Sequence, residues 1–140
     1  MKAIVEIPKG SIYKYELKHG VLILDRVLSI PYPANYGFIP NTLSEDGDEL
    51  DIFVYSETPI HPLSQVKLEV LGVIEMLDGG VNDDKLICRL ENSFHPVDNS
   101  FSQIIYFLRN YKVGTVMGDI GNKDKALQIL EQAKVRFNTK

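Results

Sequence analysis

The chain has 140 residues, 44% apolar and 24% charged, which is the length and balance of one globular domain with a real core. Its formal net charge is −4, from 19 acidic and 15 basic side chains, and this argues against a general binder of nucleic acid phosphates. A single cysteine, Cys88, excludes an intrachain disulfide and a multi-cysteine metal site; inside Leu86-Ile87-Cys88 it reads as a small apolar core residue.

The N-terminal stretch carries Glu6 inside any would-be hydrophobic region, so it does not read as a signal peptide. Strands are expected at 2–7, 12–17, 21–28, 50–55, 66–76 and 84–90, all rich in Val, Ile, Leu and Tyr and bounded by turn formers. Lys18-His19-Gly20 joins the second and third as a tight hairpin. The segment Ile30–Gly37, broken by Pro31, Pro33 and Gly37, reads as a loop. The longest uncharged run, 27–44, holds three prolines and is too broken to cross a membrane.

The last third changes period. Phe101, Ile104, Ile105, Leu108 and Tyr111 recur at helical spacing behind a Ser100/Gln103 capping box. A second helix starts near Asn122, with Ala126, Leu127, Leu130, Ala133 and Phe137 as its apolar stripe. Strands first and helices last predict a single α+β domain over 1–140, a small closed β-barrel with two helices packed outside.

The informative stretch is Glu45-Asp46-Gly47-Asp48-Glu49-Leu50-Asp51, five carboxylates in seven residues leading into the apolar Ile52-Phe53-Val54. Read alone, such a run is a solvated acidic loop. Here Asp51 interrupts the apolar pattern, and an inward carboxylate needs compensation. Dense hard oxygen donors suit Mg²⁺, Mn²⁺ or Ca²⁺. An EF-hand is excluded, because Leu50 and Asp51 fall where that loop requires a ligand and a glycine. A second acidic knot, Asp78-Gly79-Gly80-Val81-Asn82-Asp83-Asp84, is by itself a turn between strands. If the two knots converge, they hold more than one divalent cation.

Charges also punctuate the early strands. Lys14 and Glu16 alternate with Tyr13, Tyr15 and Leu17 on one face, Arg26 is placed with Leu22 and Leu24, and Glu6 stands among Ile4, Val5 and Ile7. A barrel interior tolerates such charges only when they pair or meet a ligand. Lys14, Arg26, Lys85 and Lys112 are cations suited to phosphate oxygens. Carboxylate-held cations plus these groups are the equipment of phosphoryl transfer. No P-loop, kinase set or serine elbow is present, and His19, His61 and His95 read as turn or surface residues.

With these residues in view, the chain resembles the soluble family I inorganic pyrophosphatases. The family signature stands here as Asp46-Gly47-Asp48-Glu49-Leu50-Asp51-Ile52. Glu6-Ile7-Pro8-Lys9-Gly10-Ser11, Lys14-Tyr15-Glu16, Asp25-Arg26, Tyr32-Pro33-Ala34-Asn35-Tyr36-Gly37, Asp78-x4-Asp83-x-Lys85 and Tyr111-Lys112 follow the family order. The resemblance implies an OB-like five-stranded barrel and hydrolysis of pyrophosphate by a metal-activated water. It implies Asp46, Asp51, Asp78 and Asp83 as direct metal ligands, Glu6 and Glu16 as ligands of further metals or their waters, and Asp48 as the group that activates the water. Lys14, Arg26, Tyr36, Lys85, Tyr111 and Lys112 resemble the pyrophosphate-binding set, and Tyr32 a support behind the acidic site; Asp84 is read as a neighbour without a direct role. The implied cofactor is Mg²⁺, several ions per site, with Mn²⁺ or Zn²⁺ as substitutes. The implied protein is a cytoplasmic homo-oligomer, a hexamer as in bacterial relatives, with no nucleic-acid or membrane partner. The rival readings are an OB-like nucleic-acid-binding module and an inactive pyrophosphatase-like partner subunit. Three departures are visible: Glu49 where proline is commoner, a short 113–121 segment without tryptophan, and Arg109-Asn110 where some bacterial relatives carry histidines at a subunit contact.

Overall fold

A computed structural model describes residues 1–140. Nine strands and two helices follow the chain: β1 Lys2–Ile7, β2 Tyr13–Lys18, β3 Val21–Val27, β4 Asn35–Ile39, β5 Leu50–Tyr55, β6 Gln65–Asp78, β7 Val81–Asn82, β8 Lys85–Leu90, α1 Ser102–Asn110, β9 Thr115–Gly121 and α2 Lys123–Thr139. β1 pairs with β4, β4 with β5, β5 in parallel with β8, β8 with β6, and β6 again with β1, so five strands close a ring. Closure leaves no free edge among these five. The expected architecture of a closed barrel with two outer helices is therefore present.

Alternation along the strands gives the barrel two buried faces. Ala3, Ile39, Leu50, Ile52, Val54, Leu68, Val70, Val73, Leu86 and Cys88 come from all five ring strands and fill the interior, with Ala126, Leu130 and Ala133 of α2 packed against them. The alternate residues Phe53, Tyr55, Ile74, Met76 and Ile87 point outward. They are covered by Ile104, Phe107 and Leu108 of α1 and by Leu28, Tyr32 and Ala34 of the β3–β4 connection. β1 and β4 approach so closely that a Cβ on Gly37 would lie 1.9 Å from the Ile4 carbonyl oxygen, so only glycine fits.

Several sequence expectations change. β4 starts inside the stretch read as a loop. Its first residue, Asn35, is wholly buried and fully bonded: its amide donates to Val54 O and Ser56 Oγ and accepts from Lys9 N and Ile60 N. A polar residue between prolines hides a strand from pattern reading. β9 was also unmarked, because Val116 and Ile120 alternate with glycines. The Ser100/Gln103 capping box does not form; Phe101, left-handed at φ 55°, is the N-cap, and Asp98 takes the Ser100 and Ser102 groups instead. α2 begins as expected, with the Asn122 side chain capping Lys125 N at 3.0 Å. Leu127 of its expected stripe is 42% exposed, however.

β2 and β3 form a separate two-stranded sheet, outside the ring. His19 and Gly20, both at positive φ, make the expected two-residue turn. The register shifts between Lys14/Arg26 and Tyr15/Leu24, with Asp25 as the extra residue. That shift moves Arg26 off the face of Leu22 and Leu24 and sets it opposite Lys14, correcting the alternation drawn from sequence. These charges therefore do not face the barrel interior, and neither does Asp51, which shares the outward face of β5 with Phe53.

Candidate active site

Three segments carry the carboxylates. The β4–β5 loop is clamped at its ends by Thr42, whose hydroxyl donates to Ile39 O at 2.5 Å and accepts from Leu50 N at 2.9 Å. Inside it, Ser44 N donates to Asp48 O at 2.7 Å and Asp48 N to Asp46 Oδ1 at 3.1 Å, while Gly47 turns the chain at φ 92°. The loop thus presents Asp46 and Asp48 next to the start of β5, where Asp51 stands. Asp78 ends β6, Gly79 and Gly80 reverse the chain, and Asp83 follows β7. Both acidic knots therefore meet.

At their centre lies the ammonium of Lys85, a residue only 2% exposed. It donates to Asp51 Oδ2 at 2.6 Å, Asp83 Oδ1 at 2.8 Å and the Tyr36 hydroxyl at 2.9 Å. Lys85 is the parallel-strand partner of Asp51, so the ion pair follows from register. Burial pushes the Lys85 pKa down, but Asp51 and Asp83 push it further up, and the group stays charged. Burial raises Asp51 despite Lys85, and raises Asp46 to about 6, with Asp83 and Asp51 adding repulsion. Burial also acts upward on Asp83, yet Lys85 and hydrogen bonds from Asp46 and Asp51 hold it below the usual carboxylate range. Asp83 thus keeps its charge while its two neighbours resist ionising.

The opposite wall is cationic and aromatic. Lys112, just beyond α1, is hydrogen-bonded to Asp78 and lies 5.3 Å above the Tyr111 ring. Lys14 of β2 bonds Asp25 at 2.7 Å. Tyr32 is 2% exposed and packs its ring 5.5 Å from Tyr36 and 4.4 Å from Phe107, behind the acidic cluster. Glu6, at a register shift in β1, accepts Leu17 N at 2.8 Å and so joins the barrel to the β2–β3 hairpin. Burial lifts its pKa to about 7; the Leu17 N–H lowers it, and Asp51, Glu49 and Glu16 add to the rise.

All but one of the side chains expected from sequence line one cavity of 330 Å³: the carboxylates Asp46, Asp48, Asp51, Asp78, Asp83, Glu6 and Glu16, and with them Lys14, Tyr36, Lys85, Tyr111, Lys112 and Tyr32. Arg26 does not line it; its guanidinium sits 5.7 Å over the Tyr111 ring at the rim. Glu49 and Lys18 also line it. Lys18 is the next alternate residue after Lys14 and Glu16, so the same alternation along β2 points to it. Asp84 lies outside, accepting Met76 N at 3.3 Å.

No three His, Cys, Asp or Glu side chains stand as a ready metal cage; the Lys85 ammonium sits between Asp51 and Asp83, and Lys112 pairs with Asp78. The donor set nevertheless fits hard divalent cations. It is all oxygen, and burial, with neighbouring carboxylates adding to it, raises Asp46 and Asp51, so a bound cation would favour their charged forms.

Clustered carboxylates beside Lys and Tyr donors, on a five-stranded barrel, suit the class of hydrolases of phosphate anhydrides that work with divalent metal. Comparison with known proteins narrows the class. Residues 3–138 match the family described as inorganic pyrophosphatase. An inorganic pyrophosphatase from Halalkalibacterium halodurans is 35% identical over 154 residues, covering 98% of this chain and 94% of that protein. A soluble inorganic pyrophosphatase of Chlamydomonas reinhardtii is 47% identical over 91 residues, 62% of this chain and 47% of the algal protein. The crystal structure of an inorganic pyrophosphatase from Neisseria gonorrhoeae superposes with a TM-score of 0.90 at 30% identity, covering 99% of this chain and 91% of that one. The chain belongs to the inorganic pyrophosphatase family, a family of hydrolases acting on pyrophosphate.

Proposed function

We propose that the protein is a Mg²⁺-dependent inorganic diphosphatase that splits pyrophosphate into two phosphates. The observation that supports this reading is the convergence of both acidic knots on the Lys85 side chain, together with Lys14, Tyr111 and Lys112, in a single 330 Å³ cavity. Asp46, Asp51, Asp78 and Asp83 are the proposed metal ligands, with Glu6 and Glu16 reaching further ions or their waters. Bound there, divalent cations neutralise the substrate's charge and acidify a water. Asp48, on the exposed tip of the acidic loop, accepts a proton from the attacking water. Lys14, Lys85, Lys112, Tyr36 and Tyr111 donate hydrogen bonds to phosphate oxygens, and Arg26 adds charge at the rim. Tyr32 keeps Tyr36 in place by packing. Mn²⁺, which suits all-oxygen donors, and Zn²⁺, which the family resemblance implies, are the proposed substitutes.

Phosphate release from pyrophosphate, after exhaustive chelation and after Mg²⁺ is restored, tests the reading. Activity is expected only with the cation. A salt-sensitive mobility shift with oligonucleotide and no phosphate release would favour the nucleic-acid-binding alternative instead.

A cytoplasmic homo-oligomer, hexameric as in bacterial relatives, completes the proposal. No helix is long and apolar enough to cross a membrane. The hairpin exposes Val21, Ile23, Leu24 and Val27 at 47–60%, and Tyr106 and Val113 beside the site are 64% and 94% exposed. Apolar surface of this kind marks a protein contact. Sedimentation at micromolar concentration is expected to give a multiple of the 15.8 kDa chain mass.

A further inference from the structure

The acidic loop leaves the barrel between β4 and β5, so Asp46 and Asp48 have no strand ladder to fix them. The Thr42 clamp and the Ser44–Asp48 turn set the loop's own shape, and what braces it from behind sets where that loop stands against the β6–β7 turn. Two backbone contacts run to α2: Leu43 N donates to Ala133 O at 3.0 Å, and Arg136 Nη1 donates to Leu43 O at 2.6 Å. The other arm of the same guanidinium, Nη2, lies 3.9 Å from Glu45 Oε1. Glu45 turns its second oxygen to Asn82, which donates a hydrogen bond to it across 37 residues of sequence. Asn82 is the last residue of β7 and precedes Asp83. A continuous bridge therefore runs from α2 through Arg136, Glu45 and Asn82 to the hairpin that carries Asp83.

This bridge lies in a separate cavity of 210 Å³ behind the acidic cluster, and none of its three residues lines the 330 Å³ cavity. It also opposes a force. Asp46 and Asp83 come from the two segments it ties together and line the same cavity, and like charges brought together repel. An unbraced loop would relieve that repulsion by swinging outward, and a cation would then have to pull it back.

We propose that Arg136 is a positioning residue, which through Glu45 and Asn82 holds the Asp46 loop at cation-binding distance from Asp83. The proposal rests on the reading of Asp46 and Asp83 as ligands of a divalent cation. Arginine suits the task because its rigid fork can hydrogen-bond the Leu43 carbonyl with one arm while the other stands as an ion-pair partner near the Glu45 carboxylate. The bridge touches none of the phosphate-binding side chains, so it bears on cation affinity and leaves recognition of the metal–pyrophosphate complex alone.

The test uses the full chain and Mn²⁺ as the probe, with binding to the substrate-free protein read by electron paramagnetic resonance. Arg136→Ala is expected to weaken Mn²⁺ binding about tenfold, the usual size of such outer-layer effects. The KM for pyrophosphate at saturating Mg²⁺ should stay at the wild-type value. Arg136→Lys should fall between the two. Glu45→Gln keeps the acceptor for Asn82 but removes the charge, and should resemble Arg136→Ala. The double variant should be no worse than either single one, because residues acting as one unit are not additive. Unchanged Mn²⁺ affinity in Arg136→Ala, with only a lower melting temperature in chelator, would mean a purely structural brace and would overturn the proposal. So would effects that multiply in the double variant. If Arg136→Ala does not fold in chelator, Glu45→Gln decides, since it leaves the Arg136–Leu43 contact in place. A wild-type protein that binds no Mn²⁺ would refute the underlying site reading, and this outcome is distinguishable because the variants then have nothing to lose.

Discussion

Replacing Lys85 by methionine removes the charge at the centre of the site while keeping the side chain's volume. The ammonium has three partners within 2.9 Å and its side chain is 3% exposed, so no solvent screening reduces its worth. Removing one partner of a buried ion pair costs about 3–5 kcal/mol, because the other charges are left without a partner. The lower end applies here. Asp51, already raised, can take up a proton and shed part of the penalty. For this chain length the unfolding entropy near 60 °C is about 0.3 kcal/mol/K, so a loss of about 3 kcal/mol lowers the melting temperature by roughly 10 °C. The pH dependence has a definite sign. Lys85 depresses Asp83, and a depressed carboxylate contributes stability above its unfolded value near 3.9 that is lost as pH falls through its folded value. The gap between variant and wild type should therefore be widest above about pH 4 and narrow in more acid solution. Thermal unfolding in chelator and in excess Mg²⁺ reads both effects. A divalent cation on Asp51 and Asp83 resupplies positive charge, so the deficit should shrink when Mg²⁺ is added. A loss below about 1 kcal/mol in chelator, or one that Mg²⁺ does not change, would refute the view that Lys85 balances the same carboxylates as the cation.

Asp48→Asn keeps the loop's shape and should lower turnover about 10²–10⁴-fold at saturating Mg²⁺, with the deficit shrinking as pH rises; a pH–rate profile checks this. Extra Mg²⁺ that rescues the variant would reduce Asp48 to a metal ligand. Tyr55 is 8% exposed and its hydroxyl is the one fully buried side-chain polar atom without a hydrogen bond, so Tyr55→Phe should leave stability unchanged or raise it by up to about 1 kcal/mol in urea unfolding. Asp98 accepts from Ser100 and Ser102, whose hydrogen bonds pull its pKa down to about 2. Its contribution is present above the ordinary carboxylate value near 4 and is lost as pH falls through about 2, so Asp98→Asn should melt lower than wild type near neutral pH and converge with it in strong acid.

The sequence made the site more legible than the scaffold between its parts. Asp46, Asp48, Asp51, Asp78 and Asp83 stand out because carboxylates seldom crowd beside apolar strands, and a family motif runs through them. β1 and β5 were read to the residue, since their apolar runs end at Pro8 and Ser56. β4 was hidden because a strand need not be apolar at its start when one asparagine satisfies four hydrogen-bonding groups around it. β9 was hidden because glycines weaken its pattern, although pairing with β6 holds it. Arg26 was misplaced on its strand by a bulge, and a bulge depends on the partner strand, which alternation along a single strand does not contain. The Glu45–Asn82 contact was invisible for a similar reason, since it joins two loops that meet only after the barrel closes.

β5 is buried on both sides, with Leu50, Ile52 and Val54 facing the barrel interior and Asp51, Phe53 and Tyr55 facing outward. A slip of one residue would exchange the two sets and carry the Asp51 carboxylate into an apolar interior. The register of β5 thus sets at once the barrel interior and the place of the Asp51 carboxylate beside Lys85. Correct barrel closure and the outward placement of Asp51 are one event, so the buried Lys85–Asp51 pair reports on strand register as much as on charge.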